Sequence, residues 1–137
     1  MFGDSDKLAI EQMYGRYLQA FIKRDYATLR ECVQAPFVVF TNGDMQTLPS
    51  ADAVLAYFRG QLATLDQRNY GHAEIVNTRI TPLTVDSALI NKAYRRYKKD
   101  GLLLEDGAAM YPVSKSSGVW KLRGLVGQES RYFGKVY

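Results

Sequence analysis

The sequence predicts an α+β fold, with three helices in the N-terminal half packed on a strongly curved, mainly antiparallel sheet of about six strands. Three observations carry this. Apolar residues recur at helical spacing in three segments before residue 68. Two β-rich runs flank Asn42-Gly43, and everything after Tyr70 has strand character, broken at Asp100-Gly101 and Ser117-Gly118. With 137 residues, 47% of them apolar, the chain fits a single domain over 1–137 that can bury a core.

The first helix follows from "DSDKLAIEQMYGRYLQAFIKR", where Asp4 and Ser5 are cap candidates and Ile10, Met13, Tyr14, Tyr17, Leu18 and Phe21 form one apolar stripe. Asp25 restarts the pattern as the cap of a shorter helix carrying Leu29, Cys32 and Val33, which Pro36 stops. Asn42-Gly43 then marks a tight hairpin, because a type I′ turn needs positive φ at both central positions. Ser50 caps the third helix, whose Val54, Leu55, Phe58, Leu62 and Leu65 would lie against a sheet.

The later strands can be paired from their turns. A two-residue turn at Asp100-Gly101 sets Lys99 opposite Leu102 and Arg95 opposite Asp106. One face then holds Leu104 with Tyr97, Asp106 with Arg95, Ala108 with Ala93, Met110 with Asn91 and Pro112 with Leu89. The other holds Glu105 with Arg96, Gly107 with Tyr94, Ala109 with Lys92 and Tyr111 with Ile90. The first face is the more apolar and is expected to be the core side. A three-residue loop of Ser116, Ser117 and Gly118 adds Trp120, Leu122, Gly124, Val126 and Gln128 to it, whereas a two-residue Ser117-Gly118 turn would invert the last strand.

Composition narrows the function classes. "KAYRRYKK", residues 92–99, holds five of the eighteen Lys and Arg residues and no acid, so the formal charge of +4 is local. Strand alternation sends Lys92, Arg96 and Lys98 to one face and Arg95 and Lys99 to the other, and no second basic cluster exists, so a nucleic-acid groove is not expected. No segment has the length of a membrane span, and "MFGDSDKLAI" lacks the regions of a secretory signal. A cytoplasmic protein without a membrane partner is expected. The single Cys32 fits a buried apolar position, and one cysteine with one histidine, His72, gives no metal site; no cofactor is expected. His72 is assigned a structural role, because nothing titratable is placed beside it.

The order of elements, with "FIKRDYATLRECV", "LPSADAVLAYFRGQL", "DSALINKAYRRYKKDG" and "GVWKLRGL", resembles the nuclear transport factor 2-like superfamily from about Asp4 to Arg131. That resemblance implies the cystatin-like cone shared by ketosteroid isomerase, scytalone dehydratase, limonene epoxide hydrolase and polyketide cyclases, with an apolar pocket inside the sheet and dimers through its outer surface. Their catalytic sets do not transfer. The position of the isomerase base falls near Phe40 and Thr41, the dehydratase pair of histidines has only His72 to draw on, and the Arg95 and Asp106 pair matches part of the hydrolase arrangement. Fold analogy leaves the reaction open.

The expected function is therefore small-molecule binding, with proton transfer of isomerase, dehydratase or hydrolase type as a possible activity and a non-catalytic association domain with a filled pocket as the alternative. The expected pocket is bounded by Tyr14, Tyr17, Asn91, Arg95, Tyr97, Asp106, Met110 and Gln128, around a ligand with an apolar body and an oxygen or anionic group. Asp106→Ala is expected to cost about 3–5 kcal/mol by stranding a buried Arg95. A homodimer is expected through Ile90, Tyr94, Tyr111, Val113, Val119 and Leu125 on the opposite, outer face.

Overall fold

The computed structural model describes residues 1–137 as three helices and one six-stranded sheet. Helix α1 (Asp4–Lys23) starts at Gly3, whose backbone N–H donates to Asp6 Oδ2 at 3.0 Å. Helix α2 (Tyr26–Cys32) is capped by Asp25, which accepts from the Thr28 backbone N–H at 3.2 Å. Strands β1 (Val33–Thr41) and β2 (Asp44–Leu48) form the expected hairpin, with Asn42 and Gly43 both at positive φ. Helix α3 (Ala51–Gln67) is capped by Ser50 and buries Val54, Leu55, Phe58, Leu62 and Leu65, each worth about 1.5–3 kcal/mol relative to exposure.

Four long strands follow: β3 (Tyr70–Thr84), β4 (Ser87–Lys98), β5 (Leu103–Ser116) and β6 (Val119–Gln128). The sheet order is β2-β1-β6-β5-β4-β3, antiparallel except where β1 runs parallel to β6. The helices pack within the curve of this sheet, and the result is the α+β cone that the element order implied. No helix is long and apolar enough to cross a membrane.

Pairing of β4 with β5 follows the expected register, including Arg95 opposite Asp106 and Arg96 opposite Glu105. The turn itself differs. Lys98 N–H donates to Leu102 O at 2.8 Å across a three-residue loop with Gly101 at φ 89°, and a bulge at Leu104 restores the register beyond it. The second turn is the two-residue alternative, with Ser117 and Gly118 at φ 51° and 77°. It sets Trp120 opposite Lys115 rather than Ser114, and turns Trp120 and Leu122 into the core beside Val113.

The faces of β4 and β5 are the reverse of the expectation. Ile90, Tyr111 and Val113 are almost wholly buried against the helices, and Arg95 with Asp106 lies on the outer surface at about half exposure. The physical reason is that inward-facing Lys92 and Arg96 have partners. Lys92 Nζ donates to Thr78 Oγ1 at 2.9 Å and lies 4.4 Å from the Tyr14 ring centre, while Arg96 Nη1 donates to Glu105 Oε2 at 2.7 Å. A count of charges per face therefore misassigned them. The residues offered as a dimer patch, apart from exposed Val119, belong to the interior, and that ground for a dimer falls.

Candidate functional site

A cavity of about 290 Å³ opens between α1, α3 and the inner face of the sheet. Helical spacing puts Tyr14, Tyr17, Leu18 and Phe21 of α1 along one wall, and Tyr57, Phe58 and Gln61 of α3 along another. Alternation along β3 and β4 supplies Ala73 and Ile75, then Tyr94 and Arg96, while β5 adds Ala109 and Tyr111. Thr41, Asn42, Gln61 and Gly127 stand at the rim, where the last three are exposed.

Small residues create the space. A Cβ on Gly107 would sit 2.6 Å from the Tyr94 ring, so the bare backbone opposite Tyr94 lets that ring lie down across the strand. Ala109 leaves the cavity floor low where a larger side chain would fill it.

The polar groups are almost all hydrogen-bond donors. Six tyrosines and Arg96 are the ionisable groups that line the cavity, with no carboxylate, histidine or cysteine among them. Burial raises the phenol pKa of Tyr57, Tyr70 and Tyr94, raises Tyr14 and Tyr17 well above the ordinary value, and takes Tyr111 to about 12. All six are neutral at physiological pH. Tyr14 Oη donates to Tyr111 Oη at 3.4 Å, and the rings of Tyr14, Tyr17 and Tyr111 meet edge to face at 5.2–5.8 Å. The Tyr70 hydroxyl is buried without any partner.

Arg96 lies against the Tyr94 ring, 4.7 Å from its centre. Burial disfavours its charge, and the Glu105 carboxylate hydrogen-bonded to it favours it, so the guanidinium stays protonated. Glu105 also accepts an ion pair from Arg68 at 2.9 Å; burial acts to raise its pKa, and the two arginines bring it below the ordinary carboxylate value.

Of the residues expected to bound the pocket, Tyr14 and Tyr17 line this cavity and the rest do not. Asn91, Met110 and Gln128 line a separate hollow of about 120 Å³ on the outer face, beneath the C-terminal residues Gly134, Lys135 and Val136. There Asn91 Nδ2 donates to Gln128 Oε1 at 2.8 Å and Gln128 Nε2 to Tyr132 O at 3.2 Å, so these amides fasten the chain end. Arg95 Nε donates to Asp106 Oδ1 at 3.1 Å in solvent, and Tyr97 stacks on exposed His72 at 5.0 Å. The sequence reading missed Tyr70, Tyr94, Arg96 and Tyr111. A usable signal was present: Gly107 opposite Tyr94 is bare backbone facing an aromatic ring, and Arg96 faces Glu105 as squarely as Arg95 faces Asp106.

No curated protein matches the chain. Solved structures share its fold at low identity. A protein of unknown function with a cystatin-like fold from Nostoc punctiforme is 16% identical, with a TM-score of 0.73 over 97% of each chain. A Shewanella frigidimarina protein with a provisional ketosteroid isomerase assignment is 14% identical, with a TM-score of 0.70 over 88% of this chain and 94% of its own. A Pseudomonas putida NTF2-like protein of unknown function is 17% identical, with a TM-score of 0.71 over 92% of this chain and 87% of its own. Residues 5–130 match the family described as NTF2-like protein (DUF6841), and the chain belongs to that family.

Proposed function

We propose that this domain binds a small molecule with an apolar body and an oxygen acceptor in the inner-sheet cavity, and holds it without abstracting a proton from it. The observation that carries this reading is the lining itself. An open cavity is surrounded by aromatic surface and neutral phenols, and contains no group that could accept a proton near neutral pH. A domain serving association alone would have filled this space with side chains. A proton-transfer enzyme would need a base in reach of the ligand, and Glu105, held by Arg68 and Arg96, stands outside the lining. The provisional isomerase assignment of one structural neighbour bears on the fold, and these residues favour binding over its chemistry.

The reading is tested by thermal shift with 2-naphthamide, a neutral aromatic amide. Stabilisation is expected for the wild type and none for Ala109→Phe, whose ring would occupy the floor of the cavity; circular dichroism checks that this variant is folded. A wild-type protein that responds to neither 2-naphthamide nor 2-naphthoate, or equal stabilisation of both proteins, would contradict the assignment.

A further inference from the structure

The end of the cavity beneath β3 and β4 combines two features that the rest of the lining lacks. One is the hydroxyl of Tyr70, whose residue is only 1% exposed and which has no hydrogen-bond partner. Leaving a buried hydroxyl unpaired is costly, and such a donor in a cavity wall is satisfied when a ligand oxygen reaches it. The other is an imbalance of charge. Arg68 and Arg96 share one carboxylate, Glu105, so the cluster carries one uncompensated positive charge. Arg24 and Asp66 pair with each other beside the Tyr70 ring and cancel, while Lys98, opposite Tyr70 on β4, has no ion-pair partner and adds to the positive charge.

Arg96 uses Nη1 on Glu105, which leaves further N–H groups of its planar fork without a protein partner. Tyr70 pairs with Lys98, two residues from Arg96 along β4, and both side chains line the cavity, so both donors serve one end of it. A neutral carbonyl could satisfy the hydroxyl but would leave the charge in place. A carboxylate satisfies both, because its two oxygens can take the Tyr70 O–H and a free Arg96 N–H.

Building on the binding function proposed above, we infer that the ligand is a monocarboxylate, its carboxylate seated between Arg96 and the Tyr70 hydroxyl and its apolar body lying along Tyr17, Phe58, Ile75 and Leu125. A cation would be repelled by this positive charge.

Isothermal titration of the full chain with 2-naphthoate and 2-naphthamide, which differ in charge at nearly constant shape, tests this. The acid is expected to bind at least about 10-fold more tightly than the amide. Arg96→Leu should abolish that preference. Tyr70→Phe, which keeps the ring in place, should weaken the acid by about 3- to 10-fold and the amide, whose neutral carbonyl is the weaker acceptor, by less. Glu105→Gln should tighten the acid, because it frees the guanidinium. Equal binding of acid and amide by the wild type would overturn the carboxylate seat while leaving the cavity as a binding site; binding of neither would remove both. Should Arg96→Leu fail to fold, unchanged acid affinity in both Tyr70→Phe and Glu105→Gln would overturn the inference by itself.

Discussion

At the scale of single residues, two charged pairs on adjacent positions of the same strands have different worth because of where they point. Arg95 and Asp106 meet in solvent at about half exposure, whereas Arg96 and Glu105 are about three-quarters buried. An exposed pair contributes about 0–1 kcal/mol. Asp106→Ala should therefore cost no more than about 1 kcal/mol in chemical denaturation, not the 3–5 kcal/mol expected for a buried Arg95. A larger loss would place this pair in the core after all. A third acid, Asp6, is held below the usual carboxylate range by the Gly3 backbone N–H, then by Lys115 and Trp120 Nε1, which lies 3.2 Å away. Because its folded pKa is depressed, its contribution is present above about pH 4 and disappears as the pH falls through the lowered value. The Tm of Asp6→Asn should lie below that of the wild type at pH 7, and the gap should close on acidification. A gap independent of pH would mean that the carboxylate charge does not matter there.

At the scale of elements, turns governed how much could be read from the sequence. Stripes located all three helices and caps two of them: Asp25 and Ser50 do at their helix ends what their side chains suggest, whereas α1 is capped at Gly3 and holds Asp4 and Ser5 in its first turn. The β4–β5 register was legible for a less direct reason. A three-residue loop replaces the expected tight turn, but the bulge at Leu104 adds the residue that brings Arg95 back opposite Asp106. Ser117-Gly118 was less legible, because serine is an uncommon occupant of the left-handed region and the sequence permitted two loop lengths that differ in which face of β6 turns inward. Asn tolerates positive φ better than Ser. Ser117→Asn should thus stabilise the protein by about 0.5 kcal/mol in thermal unfolding, while Ser117→Val should destabilise it. The opposite order would argue for the three-residue loop.

At the scale of the whole molecule, the cone has two sheet surfaces, and their roles decide what the protein can do. The fold was legible because its element order is distinctive; the site was not, because both faces of β4 and β5 mix apolar and charged residues. Only tertiary partners separate them: Thr78 and Tyr14 for Lys92, Glu105 for Arg96, and the folded-back chain end over Asn91 and Gln128. Tyr14 and Tyr17 were found from the helix stripe alone, which does not depend on strand facing. The central claim is that ligands enter the inner face. Chemical-shift mapping by NMR during titration with 2-naphthamide tests it most directly. Perturbations should gather at Tyr17, Phe58, Tyr94 and Ala109, with Arg95, Tyr97 and Met110 unmoved; shifts confined to the outer-face residues, or no shifts at all, would contradict it.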